Sequence, residues 1–92
     1  MATVKGLVNS FGTTVSLLAN VTTTVFVYAA RGGLIEAFAM TFALGGFTVT
    51  GARYTVADGA IIDTSGGGAN YFPGSSAGTG TNFGAAPYGL YE

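Results

Sequence analysis

Cysteine and histidine are both absent from this 92-residue chain. No disulfide can staple the fold, the two residue types most used in structural zinc sites are missing, and either redox compartment is permitted. Charge is almost as scarce: Lys5, Arg31 and Arg53 stand against Glu36, Asp58, Asp63 and Glu92, a formal net of -1. Three scattered cations make no basic patch, so nucleic-acid binding is not expected. Low charge also removes the long-range repulsion that keeps copies of a protein apart.

Apolar residues are plentiful, at 49% of the chain with a mean hydropathy of +0.53. So short a chain makes one domain at most and buries only a modest fraction of its surface. The surplus is expected to be covered by other copies. An apolar patch with a lysine begins the chain, but threonine, serine and asparagine interrupt it, and no secretory signal is expected.

Residues 47–63, FTVTGARYTVADGAIID, organise the rest. β-Branched and aromatic residues at close spacing favour a pleated surface, Gly51-Ala52 marks a bulge or break, and Asp58-Gly59 tolerates the positive dihedrals of a tight hairpin. Upstream, residues 22–28 are read as a strand, Arg31-Gly32-Gly33 as a turn and residues 9–14 as another. Residues 34–44, LIEAFAMTFAL, alternate larger and smaller side chains and are expected to form one strand ended by Gly45-Gly46, with a helix as rival. Residues 1–3 read as a loose end, and residues 4–8 as a short strand or docking arm.

Beyond Asp63 lie half of the glycines and both prolines, with Tyr71, Phe72, Phe83, Tyr88, Leu90 and Tyr91 among them. Glycines permit close backbone approach and aromatics can pin an irregular segment to a groove. The expected organisation is a β-rich core over residues 1–63 with a short N-terminal arm, and an extended C-terminal arm over residues 64–92 packing on itself or a neighbour. The fold class expected is all-β, a small sandwich or open barrel of about five strands. Interface candidates are Phe38, Phe42, Tyr71, Phe72, Phe83, Tyr88 and Tyr91.

Chemistry finds little footing. Asp58 and Asp63 are the only close carboxylate pair, and a hairpin turn explains the first while local amides explain the second. Residues 65–68 contain glycines but no Walker lysine, so they complete no nucleotide motif. Asn20-Val21-Thr22 is a chance match to a glycosylation acceptor. Arg31 and Arg53 are placed to pair with Glu36 or Asp63, setting register more than stability. No catalytic residue, metal or cofactor is expected.

The segments TTTVFVYAARGGLIEAF and GARYTVADGAIIDTSGGGANYFPGSSAGT, with the Gly-Tyr-rich end that follows, resemble small virion proteins of tailed bacteriophages. The resemblance is carried by the turn at residues 29–34, the strands of residues 51–62, and residues 70–74 with Ala77-Gly78, spanning about two thirds of the chain. It implies a β-rich, non-enzymatic structural subunit of a capsid decoration, collar or tail-fibre assembly. Partners would be copies of itself, with an intertwined trimer as the attractive arrangement, and other virion proteins. Two alternatives remain. One is a membrane-associated helical hairpin or pore-forming peptide over residues 17–30 and 34–44, although Arg31-Gly32-Gly33 divides that span. The other is a host- or glycan-binding module stacking ligand on Tyr71, Phe72, Tyr88 and Tyr91.

Overall fold

The computed structural model describes residues 2–4, 7–9, 12–80 and 82–92, the first two stretches by their backbone. Short strands follow one another: β1 (Ala2–Val4), β2 (Leu7–Asn9), β3 (Thr14–Ser16), β4 (Val21–Ala29), β5 (Leu34–Glu36), β6 (Thr41–Ala43), β7 (Val49–Val56), β8 (Ile61–Asp63) and β9 (Leu90–Tyr91). From β1 to β8 no strand pairs with the one that follows it in sequence; β8 and β9 do, across the 26 residues between them. β1, β4 and β7 form one sheet, β2, β5, β8 and β9 a second, and β3 and β6 a third. Every pairing between these strands is parallel.

The register explains the architecture. Leu7 pairs with Leu34 and Leu34 with Ile61, Thr14 with Thr41, and Val27 with Tyr54, each partner 27 residues further along. The chain is therefore wound as a parallel β-solenoid, 37 × 24 × 21 Å, whose windings stack through backbone hydrogen bonds. A repeat underlies it: Gly6-Leu7-Val8-Asn9, Gly33-Leu34-Ile35-Glu36, Ala60-Ile61-Ile62-Asp63 and Gly89-Leu90-Tyr91-Glu92. Each copy of the motif reads as one glycine or alanine, two apolar residues and one polar residue, and its two apolar residues lie in the second sheet.

Corners repeat as well. Arg31 and Gly32 have φ of 55° and 74°, Asp58 and Gly59 of 53° and 76°. Gly33 N–H donates to Ala30 O (3.1 Å) and Ala60 N–H to Ala57 O (3.0 Å). Positive φ at both central residues with that closing bond belongs to a type I′ turn. The same turn usually makes a hairpin, and here it does not. β7 and β8, like β4 and β5, lie in different sheets, because each strand's hydrogen bonds go to its counterpart one winding away. The two corners also bond to each other, Gly32 N–H to Asp58 O at 3.0 Å.

Two expectations are corrected. In place of a sandwich or open barrel there are three parallel sheets, and no sheet among the described residues closes on itself. Residues 34–44 are not one strand: Ala39, with φ 52°, breaks them into β5 and β6. The turn expected over residues 9–14 lies partly outside the described residues. Gly12, inside it, has φ 70° and sits one winding before Ala39. The interruption at Gly51-Ala52 is a bulge within one strand, β7. Thr22 pairs with Thr50 and Val25 with Ala52, so Thr23 and Thr24 stand opposite Gly51 alone.

The core runs along the inside of the windings. Ile35 and Ile62 are register partners, as are Val27 and Tyr54, and Ala29 and Val56, and all six are buried. Each large aliphatic side chain so enclosed contributes about 1.5–3 kcal/mol. Among the described residues no buried side-chain nitrogen or oxygen lacks a hydrogen-bond partner.

Candidate interaction surface

Residues 64–92 form no separate arm; they are wound onto β7 and β8. Thr79 N–H donates to Tyr54 O (2.9 Å), Val56 N–H to Thr79 O (3.0 Å) and Arg53 N–H to Ser76 O (3.1 Å). The glycines of this stretch make the approach possible. A Cβ on Gly78 would lie 2.2 Å from the Tyr54 ring, and one on Gly80 2.2 Å from Val56 O. The segment then returns to the second sheet as β9, Leu90 N–H donating to Ala60 O and Glu92 N–H to Ile62 O, both at 2.9 Å.

An aromatic cluster fills the winding. Phe42 meets Phe26, Tyr71 and Phe72 edge to face at 5.8–6.0 Å, and Tyr54 stacks on Tyr91 with centroids 3.7 Å apart. The Tyr71 hydroxyl accepts Met40 N–H (2.8 Å) and donates to Ala37 O, bridging the gap where the third winding has no strand beside β6. Arg53 Nη1 donates to Phe72 O (2.9 Å), and the Tyr91 hydroxyl to Gly68 O (2.7 Å). Burial, reinforced by the neighbouring Tyr54, pushes the Tyr91 phenol up to about 12. Burial also raises Tyr54.

The structure sorts the interface candidates. Phe72 is buried, while Phe38, Phe42, Tyr71 and Tyr91 are half-buried. Phe83 and Tyr88 are exposed, at 46% and 55%. Two further exposed apolar residues were not foreseen, Leu18 at 91% and Phe47 at 38%. They sit after β3 and after β6, at the corner that precedes the first sheet. The signal for them was their place between elements, visible only once residues 15–30 and 34–44 are divided by the repeat.

On the second sheet, Leu34, Ile61 and Leu90 are half-buried and form one column in register. Alternation places Glu36 and Asp63 on that same face, opposite buried Ile35 and Ile62. Glu92 follows in the next rung. Carboxylates on adjacent rungs repel. Asp63 Oδ1 accepts Ser65 N–H (2.9 Å), and Asp58 occupies its corner, so each aspartate has a local structural role. Among the described residues no three His, Cys, Asp or Glu gather as a metal site. Asn20 Oδ1 accepts Thr48 N–H (3.0 Å), linking two windings.

The span expected for a helical hairpin contains β4, β5 and β6, and no helix among the described residues is long and apolar enough to cross a membrane. No family model matches the chain, and neither a curated protein nor a solved structure matches it.

Proposed function

We propose that the chain is a non-enzymatic structural subunit that assembles with copies of itself, as a virion component of a tailed bacteriophage. The observation carrying the assembly is the set of large apolar side chains, Leu18, Phe47, Phe83 and Tyr88, exposed on a surface with very few charges. Burying such groups against another copy returns free energy that one small core cannot collect. The virion assignment rests on the resemblance of residues 22–38 and 51–79. The polar groups of the aromatic winding are taken up by backbone partners, which suits a scaffold.

Electron microscopy of the detergent-free protein tests the reading. Fibres, rings or shells of defined subunit repeat are expected; dispersed single chains would overturn it. Of the four residues expected to stack on a ligand, that second reading remains only for exposed Tyr88, since Phe72 is buried, Tyr91 is stacked on Tyr54 and Tyr71 packs edge to face on Phe42.

A further inference from the structure

The second sheet has the order β2-β5-β8-β9, with β2 outermost at one end and β9 at the other. Leu90 and Glu92 both turn their N–H groups to β8, and Glu92 O accepts Thr64 N–H at 2.7 Å. In a parallel ladder the intervening residue then directs its N–H and C=O the other way. Tyr91 thus offers one donor and one acceptor on the far side of β9, a ready template for another strand. Tyr88, exposed at the corner of the same winding, has its carbonyl taken by Gly59 N–H, which places it over the Asp58 corner in the outermost rung.

We propose that a second copy of this chain docks head to tail at this edge, its β2 continuing the second sheet beyond β9 in the same parallel sense. This deepens the assembly reading and rests on it. The repeat supplies the match: Gly6-Leu7-Val8-Asn9 would follow Gly89-Leu90-Tyr91-Glu92 as each copy of the motif follows the one before it. The second copy's Leu7 then pairs with Leu90, its Val8 with Tyr91 and its Asn9 with Glu92. The charge pattern allows the same register. The polar rung is acidic in three copies, Glu36, Asp63 and Glu92, and is neutral only in the copy that Glu92 would meet. An amide there avoids the further repulsion that a fourth carboxylate would add. Such a contact is heterologous, so it propagates into a ring or a filament.

The absence of native cysteine makes the test clean. In-register neighbours on parallel strands lie within disulfide reach. Asn9→Cys and Glu92→Cys chains, mixed and mildly oxidised, are expected to give a covalent dimer that neither variant forms alone, and the double variant a ladder of multimers. On the unaltered chain, exchange of the Tyr91 amide should slow as concentration rises. Dimers of each single variant alone, or a Tyr91 amide insensitive to concentration in a chain that assembles, would overturn the edge contact and leave the assembly reading standing. A chain that stays single at every concentration would overturn both.

Discussion

At the scale of single residues, backbone geometry carries unusual weight. Gly51 has φ 132°, and a Cβ there would stand 1.8 Å from Thr23 O in the bulge. Gly51→Ala should therefore cost at least about 2 kcal/mol in chemical denaturation. Gly32→Ala, where φ is 74° but no atom lies within 4 Å, should cost about 1 kcal/mol. Equal effects would mean that strain alone, not the contact with β4, holds the bulge. Tyr71→Phe leaves Met40 N–H and Ala37 O without their shared hydroxyl, and about 1–3 kcal/mol of stability should go with it. Tyr91 sets a pH dependence. Its phenol is raised in the folded chain to about 12 from the ordinary value of 10.0, so between those values the unfolded chain releases the proton first. The stabilisation is whole below pH 10 and drains away as pH rises toward 12. A denaturation series across that window should show the loss, and Tyr91→Phe should reduce it, leaving the share of Tyr54, whose phenol burial also raises.

At the scale of elements, register partners are the unit of stability. Ile35 and Ile62 stack in adjacent windings, both buried. Each truncated to alanine should cost about 3 kcal/mol. The double variant should cost less than the sum, because the two cavities merge; strict additivity in a double-mutant cycle would argue against contact. Local chemistry here was legible in the sequence. Residues 22–28 were expected as a strand and β4 is Val21–Ala29, and the turns at Arg31-Gly32 and Asp58-Gly59 stand where their dihedral tolerance put them. The pairing was not legible from those features, because an Asp-Gly corner reverses or redirects the chain with the same dihedrals. What separates the two outcomes is the Gly-Leu-Ile-Glu repeat at 27 residues, which strand-by-strand reading passes over. The break at Ala39 was hidden for a related reason. No glycine or proline marks it, and only its alignment with Gly12 and Gly66, both at positive φ, exposes it.

At the scale of the whole molecule, the last winding decides whether the fold is a unit or a core with an appendage. Ending the chain after Asp63 uncovers Tyr54, Val56 and the far edge of β8 together. Loss of the β-sheet circular dichroism signal and of soluble yield is expected; a folded, soluble fragment would mean that the core is complete without the last winding. The exposed interface candidates were legible only in part. Composition pointed to a surplus of apolar surface, but Phe72 and Tyr91 were consumed by the winding while Leu18 and Phe47 were left outside it. The central claim is that other copies cover what this winding leaves open. Sedimentation velocity of the intact chain without detergent, over a wide range of concentration, tests it most directly. Species at multiples of the chain mass, growing with concentration or closed at one size, are the expected result, and a lone chain throughout the range would contradict it.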